Sequence, residues 1–205
     1  MPEEFDAAYW EHRYRTHPAL RRPVPGPQLT AETDGLAPGL ALDAGCGEGA
    51  DAVWLASRGW HVTAVDVSPT ALERAREHAA SALGEDRAHR IDWVEADLTS
   101  WTPPERRYDL VTTEYVHAGS APAELYARLA AAVAPGGTLL VVGHHPADEH
   151  TAARLSEHVH FTADEVAAGL DAAWEVLTAE NRTRRSEGHG GATLHDAVLR
   201  ARRLP

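Results

Sequence analysis

From about Gly39 onward, short apolar runs alternate with amphipathic segments five times, and two further strand-like runs close the chain. Glycines, prolines and polar residues bound the apolar runs, as is typical of buried strands. Strands that alternate with helices form a parallel sheet with helices on both faces. We therefore expect an α/β fold with one doubly wound sheet, whose strands lie at positions 40–44, 60–65, 91–94, 109–113, 138–142, 174–181 and 192–201.

Helix-start and helix-stop residues separate these runs. Ser68 followed by Pro69 is typical of an N-cap and a first helical residue, and Thr162 with Glu165 has the spacing of a capping box. The predicted helices are 5–16, 50–58, 69–83, 121–133 and 162–170. The proline-rich stretch 18–27 is expected to contain neither a helix nor a central strand, and 134–137 is expected to be a turn.

Composition limits the partners and the compartment. The 205 residues carry a formal net charge of −12, and a negative field repels phosphate backbones and anionic membranes. We therefore expect neither a nucleic acid nor a membrane as partner. Cys46 is the only cysteine, which excludes an intrachain disulfide and fits a reducing cytoplasm. The chain has no run of about 18 apolar residues, and its N-terminus lacks a secretory pattern, so we expect a cytoplasmic protein.

A glycine-rich segment, Leu42-Asp43-Ala44-Gly45-Cys46-Gly47-Glu48-Gly49, follows the first predicted strand and opens the first predicted helix of the alternating part. Glycines at this place permit a tight turn and allow the backbone to approach a ligand closely. A simple strand–helix turn would have a similar composition. The spacing Gly45-x-Gly47-x-x-Ala50 also fits a dinucleotide fingerprint, so the turn alone leaves a nicotinamide cofactor open.

Three acidic positions distinguish between the possible ligands. Asp43 precedes the first glycine of the turn, where it would repel a pyrophosphate but could bind a cationic amino-acid group, directly or through water. Asp66 ends the second strand and could accept bonds from two ribose hydroxyls, a feature that suits NAD equally. Asp97 and Leu98 follow the third strand and could bind an adenine amino group and a ring nitrogen. As a single feature, Asp97 reads equally as a loop-capping residue.

Taken together, these segments resemble the class I S-adenosylmethionine (SAM)-dependent methyltransferase family. The resemblance rests on LDAGCGEG, VTAVDVS, VEADL, YDLVTTEYVH and APGGTLLVV, which occur in the family's order over residues 40–143. It implies a Rossmann-like, seven-stranded, mostly parallel sheet with an antiparallel last strand. It also implies a cofactor site formed by Asp43, Gly45, Cys46, Gly47, Asp66, Val67, Asp97, Leu98 and Thr113.

A narrower resemblance links the chain to small bacterial thiopurine and tellurite-resistance methyltransferases. It rests on Trp10-x-x-Arg13-Tyr14, GEGADAVWLASRGW and TLHDAVLRARR. It implies that the N-terminal segment folds over the cofactor, so that Trp10 and Tyr14 contact it. Alternatively, these two aromatic residues simply pack on the domain. We expect a single domain with a helix and lid over 1–30, a cofactor-binding core over 40–143, and an acceptor-side loop, helix and strand pair over 144–205.

The loops after the fourth and fifth strands face the methyl acceptor in such a fold. They supply Glu114 and His117, and then His145, as candidate acid–base residues. Histidines hydrogen-bonded within their own loops are the plain alternative. Five histidines between positions 144 and 160 do not match a zinc signature, and cysteine ligands are absent, so we expect no metal.

The predicted function is therefore methyl transfer from SAM to a small molecule, which leaves S-adenosylhomocysteine. Sulfur is the preferred acceptor atom, because a thiol has a pKa of about 8.5, its thiolate is a strong nucleophile, and no strong base motif is present. Methylation of oxygen or nitrogen on a natural-product scaffold is the alternative. A nicotinamide-dependent oxidoreductase and a non-catalytic SAM-binding protein are further alternatives. A monomer and a homodimer are both compatible with the sequence.

Overall fold

The computed structural model describes residues 5–20, 23–117, 122–152, 155, 159–186 and 192–205. Seven strands form one sheet in the order β3-β2-β1-β4-β5-β7-β6. The strands are β1 Leu40–Ala44, β2 His61–Asp66, β3 Ile91–Glu95, β4 Tyr108–Glu114, β5 Val133–His144, β6 Trp174–Ser186 and β7 Ala192–Arg203. The helices are α1 Ala7–Thr16, α2 Pro27–Thr33, α3 Ala50–Ser57, α4 Pro69–Leu83, α5 Glu85–Ala88, α6 Pro122–Ala132, α7 Glu149–Ala152 and α8 Ala163–Ala167.

The sheet confirms the predicted α/β topology. Strands β1 to β5 pair in parallel, whereas β7 runs antiparallel to both β5 and β6. Because right-handed crossovers place the carboxyl ends of parallel strands at one edge, the residues that follow β1, β2, β3, β4 and β5 come together there. The chain order reverses direction between β1 and β4, and this is the position at which open α/β sheets bind ligands.

Local capping explains where several helices begin. The Ser68 hydroxyl accepts a bond from the Ala71 amide and Pro69 takes the first helical position, as predicted for α4. At α8, both arms of the predicted capping box between Thr162 and Glu165 are present. The N-cap of α3 is Gly49, whose φ of 77° lies in the left-handed region that glycine adopts without strain.

Two predictions about irregular segments were wrong. Pro27 does not exclude a helix but starts α2, because proline has no amide to lose at the first helical position. The predicted turn over 134–137 lies inside β5, where a register shift opposite Tyr108 and Leu110 absorbs the extra residues. Strand β6 also continues to Ser186, five residues beyond its predicted end at Asn181.

Two apolar clusters cover the two faces of the sheet. One contains Leu110 with helix residues such as Leu55 and Leu72, and the other contains Val111 with Leu125 and Leu129. Neighbouring residues on β4 thus point to opposite faces, as the two-residue period of a strand requires. Within the described ranges, no helix is long and apolar enough to cross a membrane.

Candidate functional site

A cavity of ≈ 940 Å³ lies between α1 and the carboxyl-end edge of the sheet. On the sheet side it is lined by Gly45, Glu48, Asp66, Val67, Arg74, Asp97, Leu98, Thr99, Glu114, Tyr115, Val116, His117 and His144. The N-terminal segment lines it with Phe5, Asp6, Ala7, Trp10, Arg13, Tyr14, His17, Pro18 and Leu20. Ligand pockets in proteins typically measure roughly 300–1,000 Å³, so this one is large enough for a cofactor together with a small acceptor.

The glycine turn after β1 leaves no room for side chains. Gly45 has a φ of 87°, and a Cβ atom there would collide with a methyl group of Val116. Gly47 has a φ of 51°, and a Cβ atom at this position would lie 2.8 Å from the Tyr14 hydroxyl of α1. The left-handed backbone and the close neighbours explain why both positions hold glycine. The absence of side chains also exposes the backbone of the turn to the cavity.

Asp66 connects this turn to the start of α4. Its Oδ2 accepts a hydrogen bond from the Gly47 amide over 2.8 Å, and its Oδ1 accepts one from the Ser68 amide over 2.9 Å. Burial raises the pKa of Asp66, while these amide donors act in the opposite direction. Each carboxylate oxygen has two acceptor sites, so Asp66 retains acceptor capacity toward the cavity.

Asp43 lies behind the turn rather than in the cavity wall. It is 3% exposed, and its Oδ2 has no hydrogen-bond partner among the described residues. Burial, together with the neighbouring carboxyls of Asp51 and Asp66, raises the pKa of Asp43 well above its ordinary range. Because Asp43 does not line the cavity, a contact with a bound ligand through water is the version of the prediction that this placement favours.

The loop after β3 provides another wall of the cavity. Asp97 Oδ1 accepts bonds from the Thr99 amide and hydroxyl over 2.8 and 2.7 Å, which forms the loop-capping turn considered above. Leu98 is buried, and its carbonyl accepts a 2.7 Å bond from Arg128 on α6. These contacts hold the loop in place and leave the second carboxylate oxygen of Asp97 for a ligand.

Hydrogen bonds to buried and half-buried groups hold the N-terminal segment over the cavity. Glu11 accepts bonds from the hydroxyls of Ser68 and Thr70 over 2.7 and 2.6 Å. Further along, Glu48 accepts a 2.7 Å bond from the Leu20 amide and pairs with Arg74 over 2.9 Å. The start of α4 and the glycine turn therefore fix both ends of the segment that covers the cavity.

An aromatic wall lines the cavity where α1 faces the loop after β4. The ring centroid of His117 lies 4.6 Å from that of Phe5 and 5.7 Å from that of Trp10. Trp10 in turn lies 6.4 Å from Tyr14. Trp10 and Tyr14, which the resemblance implies as cofactor contacts, line the cavity together with Phe5.

Burial shifts the pKa values of three titratable groups at this end toward their neutral forms. Burial lowers the pKa of His117 to about 4, and both ring nitrogens lack a partner in the described part of the chain. Burial likewise lowers the pKa of His144 to about 4. Burial, helped by the carboxyls of Asp51 and Asp43, raises the pKa of Glu114 well above its ordinary range. These pKa shifts favour uncharged imidazoles and a protonated carboxyl group in the cavity wall.

The backbone at Tyr115 helps to shape this end. Tyr115 has a φ of 53°, which is uncommon for a residue with a side chain. Its ring lies 5.0 Å from that of His144, and the guanidinium of Arg184 lies 5.4 Å from its centroid. Residues in sparsely populated backbone regions are concentrated at functional sites.

The structure separates the predicted site residues into two groups. The cavity wall contains Gly45, Asp66, Val67, Asp97, Leu98, Glu114, His117, Trp10 and Tyr14. The residues outside that wall are Asp43, Cys46, Gly47, Thr113 and His145. Gly47 acts through its bond to Asp66, whereas Cys46 and Thr113 are buried beneath the turn and within β4. The roles predicted for the residues of both groups, in binding the cofactor or in catalysis, stay predictions.

His145 is a predicted acid–base candidate, but it does not line the cavity. His145 Nδ1 accepts a 3.0 Å bond from the Ala147 amide, so it is engaged within its own loop. His144, the last residue of β5, lines the cavity instead. Side-chain alternation along β5 is the sequence signal that distinguishes His144 from His145. Two further histidines of the acceptor-side region 144–205, His158 and His189, lie outside the described residues.

Comparison with known proteins identifies the domain. Residues 41–137 match a family described as a methyltransferase domain, and this range contains β1 to β4 and the glycine turn. This domain match agrees with the resemblance of the sequence to class I SAM-dependent methyltransferases. It favours SAM over the nicotinamide reading of the glycine turn.

The relatives that match this chain cover part of its length. Trans-aconitate 2-methyltransferase of Streptomyces coelicolor is 37% identical over 118 residues, which cover 55% of this chain and 38% of that protein. Probable thiol methyltransferase 2 of Arabidopsis thaliana is 32% identical over 135 residues, which cover 64% of this chain and 58% of the relative. The chain thus spans about half the length of the curated relatives it matches.

A solved structure matches this chain over nearly its whole length. It is described as the conversion of a disulfide bond into a thioacetal group during echinomycin biosynthesis. The two chains are 26% identical with a TM-score of 0.76, and the match covers 97% of this chain and 92% of the other.

The residues of the cavity fit SAM, the cofactor of this family. Gly45 leaves a cradle that a single Cβ atom would fill, and Asp66 offers carboxylate acceptors where ribose hydroxyls bind in such sheets. Asp97 and Leu98, the predicted adenine contacts, line the same cavity. Carboxylates around the turn also suit a positively charged cofactor better than a pyrophosphate.

Proposed function

We propose that this protein transfers the methyl group of SAM to a small-molecule acceptor, with thiol sulfur as the preferred atom. The observation that carries the sulfur assignment is the burial of His117 and Glu114 at the acceptor end of the cavity. His117 is a weak base with a pKa of about 4, and burial shifts the pKa of Glu114 upward, toward the protonated form. An acceptor that needs little help to lose its proton suits such a site best.

The acid–base argument rests on the acceptors' own pKa values. A thiol has a pKa of about 8.5, so part of it is thiolate at neutral pH, and the thiolate is a strong nucleophile. An aliphatic alcohol is far less acidic and needs a strong base in contact with it. Within the described cavity wall, Asp66, Asp97 and Glu48 already accept bonds from protein groups on the cofactor side.

The protein's own contribution is to position the reactants and exclude water. When bound, SAM supplies a methyl group on a positively charged sulfur, which is already a strong electrophile. Asp66 and the glycine turn hold the ribose and amino-acid parts, while α1 closes the cavity over them. Alignment of the acceptor with the methyl group and removal of water then lower the barrier. His117 accepts the proton that leaves a thiol acceptor.

The names of two similar proteins support a sulfur acceptor. The Arabidopsis relative is described as a probable thiol methyltransferase, and the echinomycin structure is described by the conversion of a disulfide into a thioacetal. Both descriptions concern chemistry at sulfur. They support the same acceptor atom as the burial of His117 and Glu114 at the acceptor end.

Oxygen is the second candidate, and Arg13 is the observation that favours it. Arg13 lines the cavity, and none of the ion pairs in the described part of the chain involves it. A guanidinium at this place could bind an anionic acceptor, such as a carboxylate. The name of the Streptomyces relative, trans-aconitate 2-methyltransferase, agrees with such an acceptor.

Release of S-adenosylhomocysteine from SAM tests the proposal. The purified protein is incubated with matched panels of thiols, phenols, carboxylic acids and amines. We expect turnover with thiols at least tenfold faster than with their oxygen analogues. Turnover confined to carboxylic acids or hydroxyls would replace sulfur by oxygen as acceptor. Tight SAM binding without turnover on any panel would contradict catalysis of these acceptor classes.

Limited proteolysis tests the proposed organisation of the chain. We propose that residues 1–30 act as a lid, that 40–143 bind the cofactor and that 144–205 complete the acceptor side. Loss of SAM protection of α1 from proteolysis in an Asp66→Ala variant would support the lid assignment. Equal protection with and without SAM would contradict it.

A further inference from the structure

Three histidine rings form a row that starts in the cavity and leads away from it. The ring centroid of His117 lies 5.7 Å from that of His144, which lies 6.0 Å from that of His160. The backbones of His144 and His160 pair as a parallel bridge, which fixes the second step of the row. Beyond it, His160 Nε2 lies 3.0 Å from the Thr151 hydroxyl, at the half-buried α7. The row therefore connects the acceptor end of the cavity with the edge of the molecule.

The ring nitrogens of this row are suited to passing a proton. Both nitrogens of His117 and Nδ1 of His144 are buried and have no hydrogen-bond partner among the described residues. A neutral imidazole accepts a proton at one nitrogen and gives one up at the other, so it passes a proton without holding a charge. Neighbouring rings at these separations are connected by a bridging water molecule or a small rotation of a ring.

The proposed reaction creates a need for such a path. Methylation of a thiol releases one proton inside a cavity that α1 covers. Burial raises the pKa of the nearby Glu114 well above its ordinary range and so favours the form that already carries a proton. A single buried histidine would have to hold a positive charge in an apolar wall formed by Phe5 and Trp10, which is unfavourable.

We infer that His117, His144 and His160 form a proton relay that carries the acceptor's proton from the closed cavity to the side of α7. The inference rests on the proposed function. In the step, the thiol S–H bond breaks as the proton moves to His117, and a proton leaves the other nitrogen of His117 toward His144 and then His160. The sulfur lone pair forms the new C–S bond, and the electron pair of the broken methyl–sulfonium bond stays on the cofactor sulfur. His144 acts through His117 and is therefore a positioning residue.

Several charged and titratable groups face the row. Arg13 on α1 and the other two histidines oppose a positive charge on His117. His144 has Arg184 on β6, Asp196 on β7 and Asp148 before α7 as charged neighbours. The carboxylates of Asp148 and Asp196 favour a positive charge on His144, whereas His160 and Arg184 oppose it.

Acceptor acidity provides the kinetic test. The probes are thiols of graded pKa, assayed with wild-type protein and with His144→Phe at neutral pH. A thiol that is already ionised has no proton to remove, so we expect its kcat to fall less than about threefold in the variant. For an aliphatic thiol with a pKa of about 8.5 or higher, we expect a loss of roughly 100-fold, the usual size of an acid–base contribution. An equal loss for all thiols would indicate a packing role and overturn the relay.

Two controls complete the test. His89→Phe changes an exposed histidine at the end of α5 and is expected to leave the kcat of every thiol unchanged. Added imidazole is expected to restore turnover of the weakly acidic thiols in His144→Ala, because it fills the missing place in the row. Failure of imidazole in a folded variant that still binds SAM would also contradict the relay.

The histidine titrations separate this inference from the proposed function. In spectra of the ¹³C-histidine-labelled protein, we expect His117 to titrate at a higher pH in His144→Phe than in the wild type, because the two rings interact. An unchanged titration of His117 would overturn the relay whatever the acceptor is. If this coupling is observed but wild-type protein methylates no thiol, the thiol assignment fails while the coupled row remains.

Discussion

The Gly47 amide donates a 2.8 Å hydrogen bond to the Asp66 carboxylate, which joins the glycine turn after β1 to the acidic end of β2. The two motifs are 19 residues apart in the chain but form one unit at the edge of the sheet. This contact positions the carboxylate toward the cavity while the turn stays open for a ligand. A change at Asp66 should therefore affect both the turn and the cofactor.

Replacement of Asp66 by alanine is expected to weaken SAM binding by about 100-fold or more. It removes acceptors for ribose hydroxyls and leaves the Gly47 and Ser68 amides without their partner, and bonds to a charged group contribute about 1.5–3 kcal/mol each. Isothermal titration calorimetry measures the affinity. Asp92→Ala, an exposed position on β3, is the matched control. An affinity within threefold of wild type would refute the assignment of Asp66 to the cofactor.

Alanine substitutions at two glycines separate backbone strain from close approach. Gly45 and Gly35 have φ angles of 87° and 81°, but a Cβ atom would meet Val116 only at Gly45, with nothing within 4 Å at Gly35. Both variants should lose about 1–2 kcal/mol of stability from the left-handed backbone. Only Gly45→Ala should also lower SAM affinity by tenfold or more, as measured by calorimetry at a temperature where both are folded. Equal affinities in the two variants would show that close approach at Gly45 plays no part in binding.

Replacement of Glu114 by glutamine tests which form of this side chain operates. Burial raises the pKa of this carboxyl well above its ordinary range and favours its neutral form, so the neutral amide should replace it with a change in unfolding free energy below about 1 kcal/mol and in kcat below about threefold. Chemical denaturation and initial rates at neutral pH measure the two effects. Glu124→Gln, at an exposed position of α6, is the control. A loss of kcat above 100-fold with intact SAM binding would mean that Glu114 acts as an ionised base.

Acidification should reveal the buried neutral histidines. The pKa values of His117 and His144 are about 4 in the folded protein and about 6.5 in an unfolded chain. The unfolded state therefore binds more protons between these values, so these residues cost stability as the pH falls from about 6.5 to about 4. The expected cost is on the order of 2–3 kcal/mol in total, allowing for their partial exposure.

The double variant His117→Phe, His144→Phe isolates this contribution from that of the buried carboxyls, which change stability in the opposite direction. Its unfolding free energy, measured by urea denaturation at several pH values, should depend less steeply on pH than that of the wild type across the window from about 6.5 to about 4. Parallel curves for the two proteins would show that the histidines titrate normally in the folded state.

Much of the fold could be predicted because its signals are local. The apolar run of β1, the Ser68-Pro69 start of α4 and the capping box of α8 each depend on residues a few positions apart. Helix caps and strand periodicity act over this distance, so a sequence pattern is sufficient to recognise them. Proline at position 27 was misleading for the same reason, since one residue can either exclude a helix or start it.

The sequence by itself determined the order of strands and helices, the glycine turn and the acidic end of β2, because these depend on local backbone preferences and burial patterns. Tertiary structure alone decided that His144 rather than His145 lines the cavity, that Tyr14 approaches Gly47, and that Asp43 lies behind the turn. Those relationships arise from strand register and from the packing of α1 across the sheet edge, which bring together residues far apart in the chain. No short-range pattern encodes such contacts, so the acceptor end of the site could be recognised only in the folded protein.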